Sequence, residues 1–320
     1  MKKKDKMKHS NVKQKWTRND TELTILALPT FIWYILFSFL PMFGLIMAFK
    51  NYKVSPGHGF IYSIFHSEWY GLKNFEFLIK SNDLFVILRN TILYNLVFIV
   101  VGTVFAVTLA IMINELYSKK KSKVYQTLMF FPYFMSWVVV TYFLDAFLNQ
   151  DNGLINGMLR DAGKDPVQWY MTAGVWPFIL IFMFLWKSTG YNMVIYLSSL
   201  SGIDTTLYEA AAIDGATKWQ QVRNITLPCL KGVIIMMFIL NVGKIFYSDF
   251  GLFYQLSQGA QGSIFNTTGT IDTYVYNALK SNTPVGMTSA VTFFQSVACC
   301  ITILAANAIV RKLDKDSAII

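Results

Sequence analysis

Long apolar runs alternate with short polar ones along this chain. A helix that crosses a bilayer needs roughly 20 mostly apolar residues. Runs of that kind fall at about Leu23–Phe49, Thr91–Ile113, Val124–Phe147, Gly174–Leu197, Val233–Gln255 and Thr288–Val310. The pattern predicts an all-α polytopic membrane protein with six transmembrane helices. Pro29, Pro41, Pro132 and Pro177 lie in or near these runs. Neighbouring helices satisfy the carbonyls that proline frees inside a membrane, so kinks rather than breaks are expected there. The chain then divides into a tail (1–22), a first helix (23–49), an outer loop (50–88), a five-helix core (89–310) holding a polar loop at 198–231, and a short tail (311–320).

Composition agrees: 54% of residues are hydrophobic and 14% charged, where a soluble domain carries about a quarter charged residues. The net charge of +10 raises nucleic-acid binding as an alternative, and its placement argues against it. Lys2, Lys3, Lys4, Lys6, Lys8, Lys13, Lys15 and Arg18 precede the first run with few aromatics among them, which fits a topology anchor. That basic region is too long for a signal peptide, and no small-residue cleavage site follows the first run. The Lys119–Lys123 cluster, the loop with Lys218, Arg223 and Lys231, and the end with Arg311, Lys312 and Lys315 share the tail's side. Opposite loops carry fewer cations, so the positive-inside rule places both termini and the 198–231 loop in the cytoplasm. The implied location is a bacterial cytoplasmic membrane.

One polar segment between two spans carries the most information. Residues 209–228 read EAAAIDGATKWQQVRNITLP, and the charges of Glu209, Asp214, Lys218 and Arg223 keep it out of the bilayer, since each costs roughly 2.5–3.5 kcal/mol at its centre. Ala210, Ala211 and Ala212 favour helix with a slim face, and Gly215 lets another backbone approach or breaks the helix. Pro228 cannot continue a helix interior, so the segment is expected to end or turn before the fifth span. A short helix, a turn and a second short helix would fit a cleft on a soluble partner, with Trp219 and Val222 as apolar anchors and Glu209, Asp214 and Arg223 setting the polar register. The plainer alternative is an amphipathic helix resting on lipid headgroups.

The spacing Glu209-Ala210-Ala211, Gly215, Ile225, Leu227-Pro228 resembles the EAA loop of binding-protein-dependent ABC importer permeases. The resemblance extends over roughly Arg89 to Ile309. Weaker cues are similar to the sugar branch: YGLKNFEFLI at Tyr70–Ile79, NGLIN at Asn152–Asn156 and YEAAAIDGA at Tyr208–Ala216. It implies a type I importer fold and a permease for an oligosaccharide or complex saccharide. It also implies a coupling helix seated in an ATPase subunit, carried by Glu209, Ala210, Ala211, Gly215, Ile225, Leu227 and Pro228. The implied partners are a second, distinct permease, two ATP-binding subunits that hold ATP and Mg, and an extracytoplasmic solute-binding protein; this chain would bind no cofactor. Cys229, directly after the proline, has no explanation.

The outer loops at Asn51–Asn90 and Asn149–Met171 are aromatic or turn-rich rather than low-complexity. They read either as short helices capping the bundle or as a platform for an external receptor. In the fifth run Asn241, Lys244, Ser248, Gly251 and Gln255 recur at three- and four-residue steps, which on one helix places them on one face. A polar stripe in an apolar helix fits a water-filled path, with interhelical hydrogen bonding as its alternative. Tyr247, Phe250, Phe253 and Tyr254 stack on sugar rings or simply pack. Asp249 lies off that face, either near the outer surface or paired with Lys187.

No catalytic constellation is visible. His9, His58 and His66 lack matching acids or thiols, Cys229, Cys299 and Cys300 lack metal-ligand spacing, and there is no phosphate loop or dinucleotide fingerprint. ATP hydrolysis, where required, belongs to another chain. A secondary transporter remains the alternative, but its paired repeats with broken helices are not seen; an ABC permease for a non-sugar solute is another.

Overall fold

The computed structural model describes residues 17–313; the lysine-rich tail with His9, and Lys315 at the other end, lie outside the described residues. The chain forms two compact units, one up to Met47 and one from Ala48 onward.

Among the described residues, the first unit is one continuous helical rod. Thr17 caps it, accepting from the Asp20 amide at 3.4 Å while the Asp20 carboxylate accepts from the Thr17 amide at 2.7 Å, a reciprocal capping box. α1 (Arg18–Tyr34) contains Pro29 without ending there and continues as a wide π turn at Ile35–Phe39 and a 3-10 stretch. None of its residues to Tyr34 is buried. A helix that is apolar all round suits a lipid environment.

The second unit opens with a small ordered cap. β1 (Lys50–Asn51) pairs antiparallel with β2 (Glu68–Trp69) around α2 (Phe60–His66), and α3 (Lys73–Ile79) follows. Buried Lys50 donates to the carbonyls of Ile64 and Phe65 at 2.8 and 3.1 Å, placing a cation at the C-terminal end of α2, where it is favoured. Asn74 donates to the carbonyls of Ala48 and Lys50, both at 2.9 Å.

The bundle follows: α4 (Leu84–Asn114), α5 (Lys119–Phe130), α6 (Trp137–Leu148), α7 (Leu154–Asp161), α8 (Trp176–Leu200), α9 (Thr205–Ile213), α10 (Lys218–Val242), α11 (Ile271–Lys280) and α12 (Val285–Leu313). Among the described residues, five helices, counting the first, are long and apolar enough to cross a membrane, and a bent pair makes up to six. α4 has 31 residues, about 46 Å of helix, so it overshoots a hydrocarbon core of about 30 Å. It packs along α8, where a Cβ at Gly102 would lie 3.3 Å from the Phe184 ring. A Cβ at Gly190 would overlap the Met129 carbonyl, so glycine is what lets α8 lie against the end of α5.

Three expectations need correction. Pro132 breaks the third run rather than kinking it: a 3-10 turn at Phe131–Phe134 separates α5 from α6, and the two parts meet at 97°. Ser136 restarts the helix by accepting from the Val139 amide at 3.3 Å. Pro228, conversely, does not end its helix. Val222–Thr226 forms a π turn in which the Leu227 amide reaches back to the Val222 carbonyl. The proline then sits in the first turn of the renewed α ladder, where its missing N–H removes no bond. Lastly, Val233–Gln255 is not one helix. α10 ends at Val242, a turn and a short irregular stretch follow, and a short π-type turn resumes at Gly251–Gln255.

Candidate functional site

Two places collect the residues singled out from the sequence. The first is the motif segment. Asp204 caps α9, accepting from the Thr206 amide at 3.0 Å; that backbone bond holds its carboxyl below the usual carboxylate range. α9 closes at Gly215, whose φ of +78° is the left-handed conformation that glycine adopts without penalty. The amides of Gly215 and Ala216 bond to the carbonyls of Ala212 and Ala211 at 3.1 and 2.9 Å, a Schellman closure. Thr217 and Gln220 form a capping box that starts α10.

Among the described residues beyond its two chain neighbours, nothing lies within 4 Å of a Cβ built at Gly215. Of the two roles expected for that glycine, the structure therefore exhibits the helix break and no close approach within the chain. Glu209, Ala210 and Asp214 are exposed, and Ala211 is half-buried. Trp219 is 70% exposed, as expected of an anchor, and Ile213 is 87% exposed. The signal for Ile213 was an isoleucine within a polar run. Ile225 and Leu227 are half-buried, and Leu227 packs on a cluster around Met193, Tyr196 and Leu230. These two, with Pro228, belong to the rod behind the exposed turn. Tyr208 and Thr226 share a hydrogen bond of 3.0 Å, and Lys218 pairs with Glu115 at the end of α4 at 2.8 Å. The turn is thus tied to the bundle.

The second place is the break after Val242. A helix that stops leaves its last carbonyls without helical partners, and each needs another. Asn95 of α4 supplies two, donating to Ile245 and Tyr247 at 2.9 and 2.8 Å. Gln295 of α12 donates to Phe246 at 2.9 Å. Asp272 of α11 accepts from the Ser248 amide and hydroxyl at 2.6 and 2.7 Å.

Held open in this way, the break borders a cavity of about 280 Å³. Asn241, Lys244, Tyr247 and Ser248 line it, facing Asn95, Thr103, Asn192 and Tyr196. They converge through the break and not along one helical face, which corrects the stripe geometry. Lys244 makes no ion pair with the described residues.

The remaining members of the stripe go elsewhere. Gly251 abuts Trp137, whose indole a Cβ would overlap. Tyr254 stacks on Phe250 with centroids 4.8 Å apart and accepts from Lys280 at 2.8 Å. Gln255 lies in the same wide turn and does not line the cavity.

Asp249 does line it, against the expectation that it lies off the path. Its carboxylate accepts from the Trp137 indole at 2.9 Å and from the Leu252 amide at 3.1 Å. Lys187 sits across that indole, 5.2 Å from its ring, and donates to the Tyr133 carbonyl at 2.8 Å. Trp137 therefore stands between Lys187 and Asp249, which form no direct ion pair. The α4 wall was readable in principle: Asn95, Phe98, Ile99, Gly102 and Thr103 follow i, i+3, i+4, i+7, i+8 spacing.

Comparison with known proteins bears on both places. Residues 99–315 match the family of binding-protein-dependent transport system inner membrane components. The chain belongs to that family. This permease is 31% identical over 294 residues to the polygalacturonan/rhamnogalacturonan transport system permease protein YteP of Bacillus subtilis (strain 168), covering 92% of this chain and 89% of that one. It is 29% identical to Protein LplB of the same organism, covering 93% and 91%. Among solved structures it is similar to a chain of a bacterial alginate ABC transporter, crystallised with an alginate pentasaccharide-bound periplasmic protein. The TM-score is 0.81 at 31% identity, covering 93% of this chain and 96% of that one. The permease fold is the type I importer fold, in a multi-pass membrane protein, and the family match contains both the motif segment and the broken span.

Proposed function

We propose that this permease forms half of the translocation path of an ATP-driven, solute-binding-protein-dependent importer, and that its cargo is an acidic oligosaccharide. The observation that carries the cargo class is Lys244: an ammonium at the break that ends the fifth span, without an ion-pair partner among the described residues, bordering a cavity of mixed polar and apolar lining. An intramembrane charge is costly and usually faces a path or its cargo. Two relatives are named for charged polysaccharides, polygalacturonan/rhamnogalacturonan and alginate. A uronate carboxylate is the group such an ammonium would meet.

The exposed turn of Glu209, Asp214, Gly215 and Trp219, with Ile213, would seat in an ATP-binding subunit, and Leu227 would carry its movement into the bundle. In this reading the chain is not itself a catalyst and binds no cofactor; ATP and Mg sit on two ATP-binding subunits. A second, related permease completes the path, and an extracytoplasmic binding protein delivers the cargo to the side of α2 and α3. The test is uptake into proteoliposomes holding both permeases, the ATPase and the binding protein. Labelled oligogalacturonide should enter with ATP present, and Lys244→Leu should lose uptake while the complex stays intact. Uptake driven by an ion gradient without the ATPase would favour a secondary transporter instead.

A further inference from the structure

We propose that a second cavity, at the motif end of the bundle, binds the phosphate headgroup of an anionic membrane lipid. This cavity, about 490 Å³, opens where α4 ends, α5 begins and α8 ends. Its walls are of two kinds. Ile113, Leu116 and Leu197 give it an apolar side, while Lys119, Lys123 and Ser198 give it a cationic and hydroxylic one.

Neither ammonium pairs with a carboxylate among the described residues. Glu115, four residues before Lys119, is engaged with Lys218 at 2.8 Å, and no other ion pair of the described residues reaches this corner. The local sequence also opposes itself. Lys119, Lys120, Lys121 and Lys123 crowd the first turns of α5, the helix end at which the macrodipole already disfavours cations. An anion between Lys119 and Lys123 relieves both problems at once.

The mixed lining selects the kind of anion. Inorganic phosphate would use only the polar wall and leave the apolar one in water. A phospholipid uses both, with its phosphodiester between the two ammonium groups and its first acyl carbons against Ile113, Leu116 and Leu197. Basic pockets between spans at one membrane face are known settings for acidic headgroups. The position gives the lipid a consequence. Glu115 adjoins Leu116 of the cavity wall and holds Lys218, the first residue of α10 after the motif turn. An occupied cavity therefore steadies the joint between the α4 end and the coupling segment.

The experiment compares two double variants of equal charge in the complete transporter. Lys119→Gln/Lys123→Gln removes the cations that line the cavity; Lys120→Gln/Lys121→Gln removes two that do not. Each complex is extracted from membranes of phosphatidylcholine with phosphatidylglycerol, and the retained phosphatidylglycerol is read by native mass spectrometry. Wild type and the 120/121 variant should retain the lipid, while the 119/123 variant should retain about thirtyfold less, on the scale of two lysine–headgroup contacts. Lys119→Arg/Lys123→Arg should keep it, which separates lost charge from lost folding. Equal losses in both Gln variants would overturn the site in favour of diffuse surface charge, as would unchanged retention in the 119/123 variant. Displacement of the lipid by inorganic phosphate would reassign the cavity to a soluble anion. Loss of the ATPase subunit from the 119/123 variant, with lipid retained, would reassign it to a protein contact.

Discussion

The motif segment and the broken span lie on either side of α10, and each departs from regular helix beside a glycine, Gly215 in one and Gly243 in the other. They are satisfied in opposite ways. Around Gly215 each capping bond comes from within five residues: Asp204 to Thr206, Ala216 to Ala211, Thr217 to Gln220. Around Gly243 the partners come from far along the chain. Asn95 reaches Ile245 and Tyr247 across 150 and 152 residues, and Gln295 reaches Phe246 across 49. A segment that satisfies itself can be presented outward to another protein. One that borrows its partners exists only inside the assembled bundle, so the cavity beside it is a property of tertiary packing.

The difference predicts where damage is greatest. Asn95→Leu should be the most severe change, because it strips partners from the Ile245 and Tyr247 carbonyls together. The Ile245 bond is part-buried and the Tyr247 bond exposed, so the loss falls toward the lower part of the roughly 1–3 kcal/mol that an unpaired buried acceptor costs. Proteoliposome uptake should fall by about tenfold or more, with a lowered melting temperature in detergent. Normal uptake and melting would mean that the break holds itself open.

Lys244→Leu should cost nearly as much uptake with the opposite signature in stability. It removes a charge that membrane insertion disfavours, so expression, melting temperature and ATPase attachment should hold or improve. A parallel fall in stability would turn Lys244 into a structural residue and weaken the cargo reading.

A smaller effect is expected at the motif. Gly215→Ala forces a side chain into left-handed backbone, at a cost of about 1–2 kcal/mol. Its Cβ meets nothing within 4 Å in this chain, so the bundle should melt normally while cargo-stimulated ATPase activity drops severalfold. Gly215→Asn, which tolerates that conformation better, should recover most of the activity. Equal loss in both variants would point to crowding against the ATPase instead of strain.

The smallest effect concerns pH. Asp204 has a folded-state pKa below its ordinary value because its carboxylate accepts the Thr206 amide. Its contribution to α9 is therefore complete above the ordinary carboxylate range of about 4 and fades as pH falls through the lowered value. Protection of the α9 amides against hydrogen exchange should hold steady across neutral pH in wild type and fall only in acid, and Asp204→Ala should lower it at pH 7 to the level that acid produces in wild type.

Local chemistry was legible in the sequence, and long-range satisfaction was not. Apolar run length predicted long apolar helices, five of which the described residues contain, and Gly215 marked a helix break, because run length and glycine act within a few residues. Pro132 and Pro228 misled in opposite directions. A proline's effect depends on whether a neighbouring π or 3-10 turn has already reset the ladder, and no sequence period reports that. The polar residues at 241, 244 and 248 were chosen for a helical face that does not exist beyond Val242; their side chains still reach one cavity because the break turns them there. Asp249 was set aside on the same faulty geometry. Asn95 carries the break and was passed over, although a lone asparagine in an apolar run is itself a signal.

The most direct test of the broken path is thiol labelling in a background with Cys229, Cys299 and Cys300 replaced by serine. Asn241→Cys, Lys244→Cys and Asp249→Cys should all react with a membrane-impermeant reagent in the same transport state. Phe246→Cys, packed in the cluster of Ile87, Ile271 and Val291, should stay silent. A continuous helix would instead align Lys244 with Gln255 and turn Asp249 away. Reaction at Lys244→Cys and Gln255→Cys with none at Asp249→Cys would contradict the break and the cavity built on it.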